Sequence, residues 1–135
     1  MNNPLIAKKL ESLIRCLNRI ETKRTDNIEI LKKDIDIQDI ISVNLERAIQ
    51  LSVDIAAIII SKKGLKTGNT MAEGFLELEK AGILSPDLAV KMRKAVGFRN
   101  ISIHEYKSID WEIVFEIIHN HLTNFKDFIK AVLDC

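Results

Sequence analysis

Arg99, Asn100, His104 and Tyr106 fall within one stretch of the chain that reads RNISIHEY. These residue types suit phosphodiester chemistry without a metal. An imidazole titrating near neutrality takes a proton from an attacking hydroxyl or returns one to a leaving oxygen. A guanidinium stays charged and presents a planar fork matched to phosphate oxygens, so it holds the reacting group and stabilises charge that builds on it. The amide of Asn100, one helical turn before His104, orients the imidazole or donates to a phosphate oxygen. RNA carries its own nucleophile in the 2′-hydroxyl, so this set calls for no covalent enzyme intermediate, no metal and no cofactor.

The same stretch is out of pattern for the helix it ends. With Asn100 at zero and about 100° per residue, Met92, Val96 and Ile103 point to one side, while Lys91, Lys94, Asp87, Ser102 and Glu105 take the other. Arg99, Asn100 and His104 then fall at about −100°, 0° and 40°, on or beside the apolar face. An arginine there loses hydration and must recover it from a carboxylate, carbonyls, a partner chain or a bound phosphate. A buried structural ion pair is one such answer, and Asp54, flanked by Val53 and Ile55, is a candidate partner for Arg99 or His104. Tyr106 follows Arg99 by seven residues, about 20° away on a continued helix. Read alone, it is either an exposed phenol at the helix end or a half-buried packing residue.

The elements that must position these groups are helical. Pro4 suits a first turn, and Leu5, Ile6, Leu10, Leu13, Ile14, Leu17 and Ile20 recur at helical steps, giving a first helix of about 4–24. Its basic residues Lys8, Lys9, Arg15, Arg19, Lys23 and Arg24 read as a solvated face. A connector with its own short turn leads to Asp34 or Asp36, which caps a second helix running to about Lys62. That helix is apolar most of the way round, as expected of a spine central to a bundle or shared between subunits. Glu46 and Arg47 on it read as surface groups.

Gly64 and Gly68 make a loop. Thr70 and Glu73 form a capping box for a short helix over 71–80, closed by Gly82. Ser85-Pro86-Asp87 starts the helix that ends near His104. Gly97 within it costs about 1 kcal/mol relative to alanine, so close approach of another helix is expected there. Asp110 caps a last helix whose core face is Ile113, Val114, Ile117, Ile118, His121, Leu122, Phe125, Phe128, Ile129 and Val132. His119 and His121 are two apart, too far around a helix to share a metal in the usual manner.

Composition narrows the function further. The 135 residues suit one domain, 1–135. A net charge of +1 gives no global basic field, so nucleic-acid binding must use a local cluster. One Trp and one Tyr argue against a surface that stacks successive bases. Cys16 and Cys135 form neither a disulfide framework nor a zinc spacing and read as reduced thiols of a cytoplasm. The start of the chain lacks the uninterrupted apolar stretch of a signal peptide, and the apolar run Ile55 to Ile60 is too short to span a bilayer.

Arg99-Asn100-Ile-Ser-Ile-His104-Glu105-Tyr106 resembles the R-x4-6-H-x-Y signature of the HepT toxins within the HEPN superfamily. The chain length, the helix order and the segment NLERAIQLSVDIA, Asn44 to Ala56, are similar to that family as well, so the resemblance spans nearly the whole chain. It implies an all-α HEPN-type bundle of four to five helices. It also implies a homodimer whose motif helices face each other, bringing two Arg and two His into one cleft. The implied function is a toxin that is a metal-independent endoribonuclease, with RNA as substrate and tRNA as the family-level expectation. The implied partner is a nucleotidyltransferase antitoxin, MntA, which attaches AMP to the tyrosine, here Tyr106; a bulky anion beside the cleft blocks substrate phosphate by sterics and like charge. Two other readings stay open: a non-catalytic HEPN interaction module that binds a nucleotidyltransferase partner, and a structural helical dimer in which Arg99 pairs with Asp54.

Overall fold

The computed structural model describes residues 3–104 and 109–135, with only the backbone described for 102–104. Helix starts follow side-chain oxygens that cap free amides. Asn3 Oδ1 accepts from the Leu5 and Ile6 amides at 2.9 and 3.2 Å, Pro4 takes the first turn, and α1 runs Pro4–Lys23. The short turn expected in the connector is α2, Ile28–Lys33, capped by Asn27. Asp34 caps α3, Ile35–Lys63, through the Ile37 amide at 3.1 Å. This helix ends where Gly64 adopts φ 64, a left-handed conformation that costs glycine little.

The spine reading of α3 holds. Ile41, Leu45, Ala48, Ile49, Ile55, Ala56, Ile59 and Ile60 are all buried, and α1, α4 and α5 pack against it. The first helix runs antiparallel to it: Lys9 meets Asp54 near one end, and Arg19 shares a groove with Asp39 near the other. A solvated basic face on α1 holds for Lys8, Arg15, Arg19 and Lys23, which are exposed. Arg24 departs from it, being half-buried with Nη1 donating to the Ile118 carbonyl at 2.7 Å.

Helix α4, Glu73–Lys80, starts two residues later than the capping box predicts. Thr70 Oγ1 does accept from the Glu73 amide at 3.3 Å, but the Glu73 carboxylate takes the amide of Asn69 at 2.7 Å, so Met71 and Ala72 remain a turn. After Gly82, at φ 78, α5 spans Pro86–His104.

The last helix is interrupted: α6, Trp111–Glu116, passes through a π-helical turn at Ile117–His121 into α7, Leu122–Asp134. The wider turn shifts the register between the halves. Val114, Ile118, Leu122 and Phe125 are buried, whereas Ile113, expected in the core, is 51% exposed. The π turn is held from outside itself, by Arg24 on the Ile118 carbonyl and by His119 Nε2 at 2.9 Å from the Thr25 carbonyl oxygen. Phe128 on α7 meets Phe75 on α4 edge to face, with centroids 5.7 Å apart. Lys32 bonds Glu112 at 2.8 Å, tying α2 to α6, and this contact raises the Lys32 amine above its ordinary pKa.

Among the described residues no helix is long and apolar enough to cross a membrane.

Candidate active site

Helix α5 carries the motif, and its own sequence sets its start and its rotation. Ser85 Oγ accepts from the Leu88 amide at 3.2 Å, Pro86 opens the first turn, and Asp87 pairs with Lys91 at 2.9 Å. Leu88, Ala89, Met92 and Val96 are buried and press one side onto the core. Asp87, Lys91 and Lys94 are exposed, as the helical arithmetic requires.

That rotation decides where the motif residues stand. Arg99 is half-buried and its Nε is buried, at the edge of the core stripe where the sequence places it. Asn100 is exposed. Its expected place on or beside the apolar face is therefore corrected: the stripe at about 0° to 100° faces outward, and Val90, Gly97 and Ile101 on it are exposed too. An exposed amide is free to meet a substrate oxygen. His104 is the last residue of the helical backbone, while its side chain and Tyr106 lie outside the described residues.

Two further expectations change. Asp54, a candidate partner for Arg99 or His104, lies 3.6 Å from Lys9 Nζ and accepts from Gln50 Nε2 at 2.8 Å, and its pairing with His104 falls on a side chain outside the described residues. It lines the groove between α1 and α3, because the rotation of α3 turns that position toward α1. Gly97 has no close neighbour among the described residues: a Cβ built there meets nothing within 4 Å.

Helix α5 is basic, as α1 is. Residues 86–104 hold Lys91, Arg93, Lys94 and Arg99 against the single acid Asp87, on a chain whose net charge is +1. It supplies local positive charge where bulk charge is absent. Arg93 belongs to it and was not singled out by the sequence reading; its signal is the seven-residue step to Asn100, which returns to the same side of a helix. On the far side of α5, Met92, Ala95 and Phe98 face Ile113, Ile117 and His121 across an apolar groove of 580 Å³.

The groove between α1 and α3 is also basic, lined by Arg15, Arg19 and Arg47 together with Asp39 and Asp54. Cys16 sits in its floor, and burial pushes that thiol above its ordinary value against the fields of Arg47 and Arg15. Among the described residues no imidazole lines it.

Comparison with known proteins agrees with the motif. The ribonuclease HepT-like family matches residues 10–132. An mRNA nuclease HepT of Shewanella oneidensis is 29% identical over 130 residues, covering 96% of this chain and 97% of that protein. A tRNA nuclease HepT of Aphanizomenon flos-aquae is 31% identical over 130 residues, covering 95% of this chain and 87% of that protein. Among solved structures, a tri-AMPylated Shewanella oneidensis HEPN toxin in complex with MNT antitoxin superposes with a TM-score of 0.93 at 28% identity, covering 98% of this chain and 99% of that one. By fold and by sequence over nearly its whole length, this chain belongs to the HepT-like ribonucleases, a family of enzymes.

Proposed function

We propose that the chain is the toxin of a toxin–antitoxin pair: one HEPN domain over 1–135 that dimerises in the cytoplasm and cuts RNA without a metal. The observation that carries this is Arg99, half-buried at the core edge beside exposed Asn100, near the end of a basic helix whose last residue is His104. Membership of the HepT-like ribonucleases supports it, and relatives named mRNA and tRNA nuclease give the substrate class.

In the reaction, His104 takes the proton of a ribose 2′-hydroxyl, and the freed oxygen attacks the adjacent phosphorus. The 2′-O–P bond forms and the P–O5′ bond breaks, leaving a 2′,3′-cyclic phosphate and a 5′-hydroxyl. His104 of a second copy supplies the proton the leaving oxygen needs. Arg99 and Asn100 hold the non-bridging oxygens as charge grows on them. One Arg and one His make a thin site, and a two-fold dimer doubles both.

A nucleotidyltransferase antitoxin is the proposed partner, with Tyr106 as the acceptor of AMP; the solved complex of a tri-AMPylated HEPN toxin with MNT antitoxin supports this. The phosphate it adds beside the cleft opposes the substrate's phosphate by charge and by bulk.

The purified protein should cleave RNA in EDTA, and His104→Ala should abolish cleavage while leaving the circular dichroism spectrum and melting curve unchanged. A wild-type protein inert toward RNA, or a mutant that cuts equally well, ends this reading. Intact mass after co-expression with the antitoxin should show added AMP, lost or reduced in Tyr106→Phe.

A further inference from the structure

We infer that Arg93 is a second phosphate grip of the same site, holding the backbone of bound RNA a few nucleotides from the bond that is cut. The inference rests on the reading that α5 carries the RNA-cleaving site.

Arg93 is half-buried, and its Nε is buried with no hydrogen-bond partner among the described residues. Its guanidinium makes no ion pair among them either: Asp87, the one acid of its own helix, is taken by Lys91 at 2.9 Å, and on neighbouring α4 Glu77 is taken by Lys80 at 3.3 Å. A half-buried guanidinium cannot escape the loss of hydration by giving up its proton. It needs an acceptor, as Arg24 shows by donating to the Ile118 carbonyl at 2.7 Å. Arg93 has the same demand and no such carbonyl among the described residues, and an anion from outside the chain meets it.

Its position says which anion. Arg93 precedes Asn100 by seven residues, which places the two about 20° apart around α5 and about 10 Å apart along it. Between them lies Gly97, exposed and with open space where a Cβ would stand, so the strip joining the two groups is bare backbone that a chain can lie against. A single strand laid along that strip brings one phosphate to Arg93 and another to Asn100. The fork of the guanidinium matches a phosphodiester's two free oxygens, and exposed Lys94 next to it adds to the field. A carboxylate from a second copy is the competing complement, and it belongs to the interface rather than to substrate.

The test uses the full chain in EDTA, with His104→Ala as a cleavage-dead parent and a fluorescent single-stranded RNA as probe. In that parent Arg93→Gln should weaken binding about five- to tenfold and flatten the slope of log affinity against log salt by about 0.7. Arg93→Lys should keep the slope and recover only part of the affinity, and it carries the measurement if the glutamine variant does not fold. In the active protein Arg93→Gln should raise KM and leave kcat nearly unchanged.

RNA bound by Arg93→Gln as by its parent, with the same salt slope, overturns the proposal. So does an Arg93→Gln protein that sediments as monomer where the parent is dimer, since the charge then serves the interface. Wild type that binds RNA without cutting it sinks the cleavage reading alone, the binding arm still deciding on Arg93. Wild type that neither binds nor cuts sinks both.

Discussion

Arg24 and Arg93 are both half-buried, and what each guanidinium meets sets what its loss should do. Arg24 donates to a carbonyl of the π turn, so Arg24→Ala should lower the unfolding free energy by about 1–2 kcal/mol in urea titration, while the rate of RNA cleavage well below the melting temperature stays that of wild type. Cys16 and Cys135 divide in the same manner. Cys16 is buried and its thiol is pushed up, whereas Cys135 is half-buried at the chain end with Sγ 3.2 Å from the Val132 carbonyl. Iodoacetamide should therefore alkylate Cys135 in the native protein and Cys16 only on unfolding, read by peptide mass. A raised folded value means that the contribution of Cys16 to stability is whole below the unfolded thiol's pKa and is lost as pH rises through the folded one. The stability difference between wild type and Cys16→Ala should accordingly shrink between about pH 7 and about pH 10.

At the scale of elements, α5 carries a glycine that its own chain does not require. A Cβ at position 97 meets nothing within 4 Å, so Gly97→Ala should stabilise the monomer by about 1 kcal/mol through helix propensity alone. RNA is proposed to lie along this strip, and the same methyl should then weaken RNA binding. Urea stability and the affinity of the His104→Ala parent for single-stranded RNA should move in opposite directions. If both rise together, the glycine serves no ligand. The π turn of the last helix is a different kind of departure, since Arg24 and His119 already tie it to the α1–α2 corner.

For the molecule as a whole, the dimer is the assembly on which the proposed chemistry depends. Val90 and Ile101 are 38% and 52% exposed on the outward stripe of α5 that also holds Asn100. Large apolar groups on one exposed stripe favour burial against another chain. Ile101→Lys should yield a monomer by sedimentation, with its melting temperature within a few degrees of wild type, and should abolish cleavage because half of the composite site is gone. A monomer that cuts RNA as fast as wild type would show that one chain suffices.

Most helix starts and the identity of the motif helix were legible in the sequence because capping acts over three or four residues, whereas the start of α4 and the π turn were not. Asn3, Asp34, Ser85 and Asp110 each accept from an amide two or three positions on, whatever the rest of the chain does. The half-burial of Arg99 was legible too, since it follows from the phase of Met92 and Val96 in one helix. What the tertiary structure decided are relations between helices. Asp54 turned to Lys9, Ile113 left the core where the π turn shifted register, Asn100 and Gly97 faced outward, and Arg93 was left half-buried without a carboxylate among the described residues. Local periodicity gives the phase of each helix about its own axis, whereas the rotation and offset of one helix against another come from packing the entire core at once.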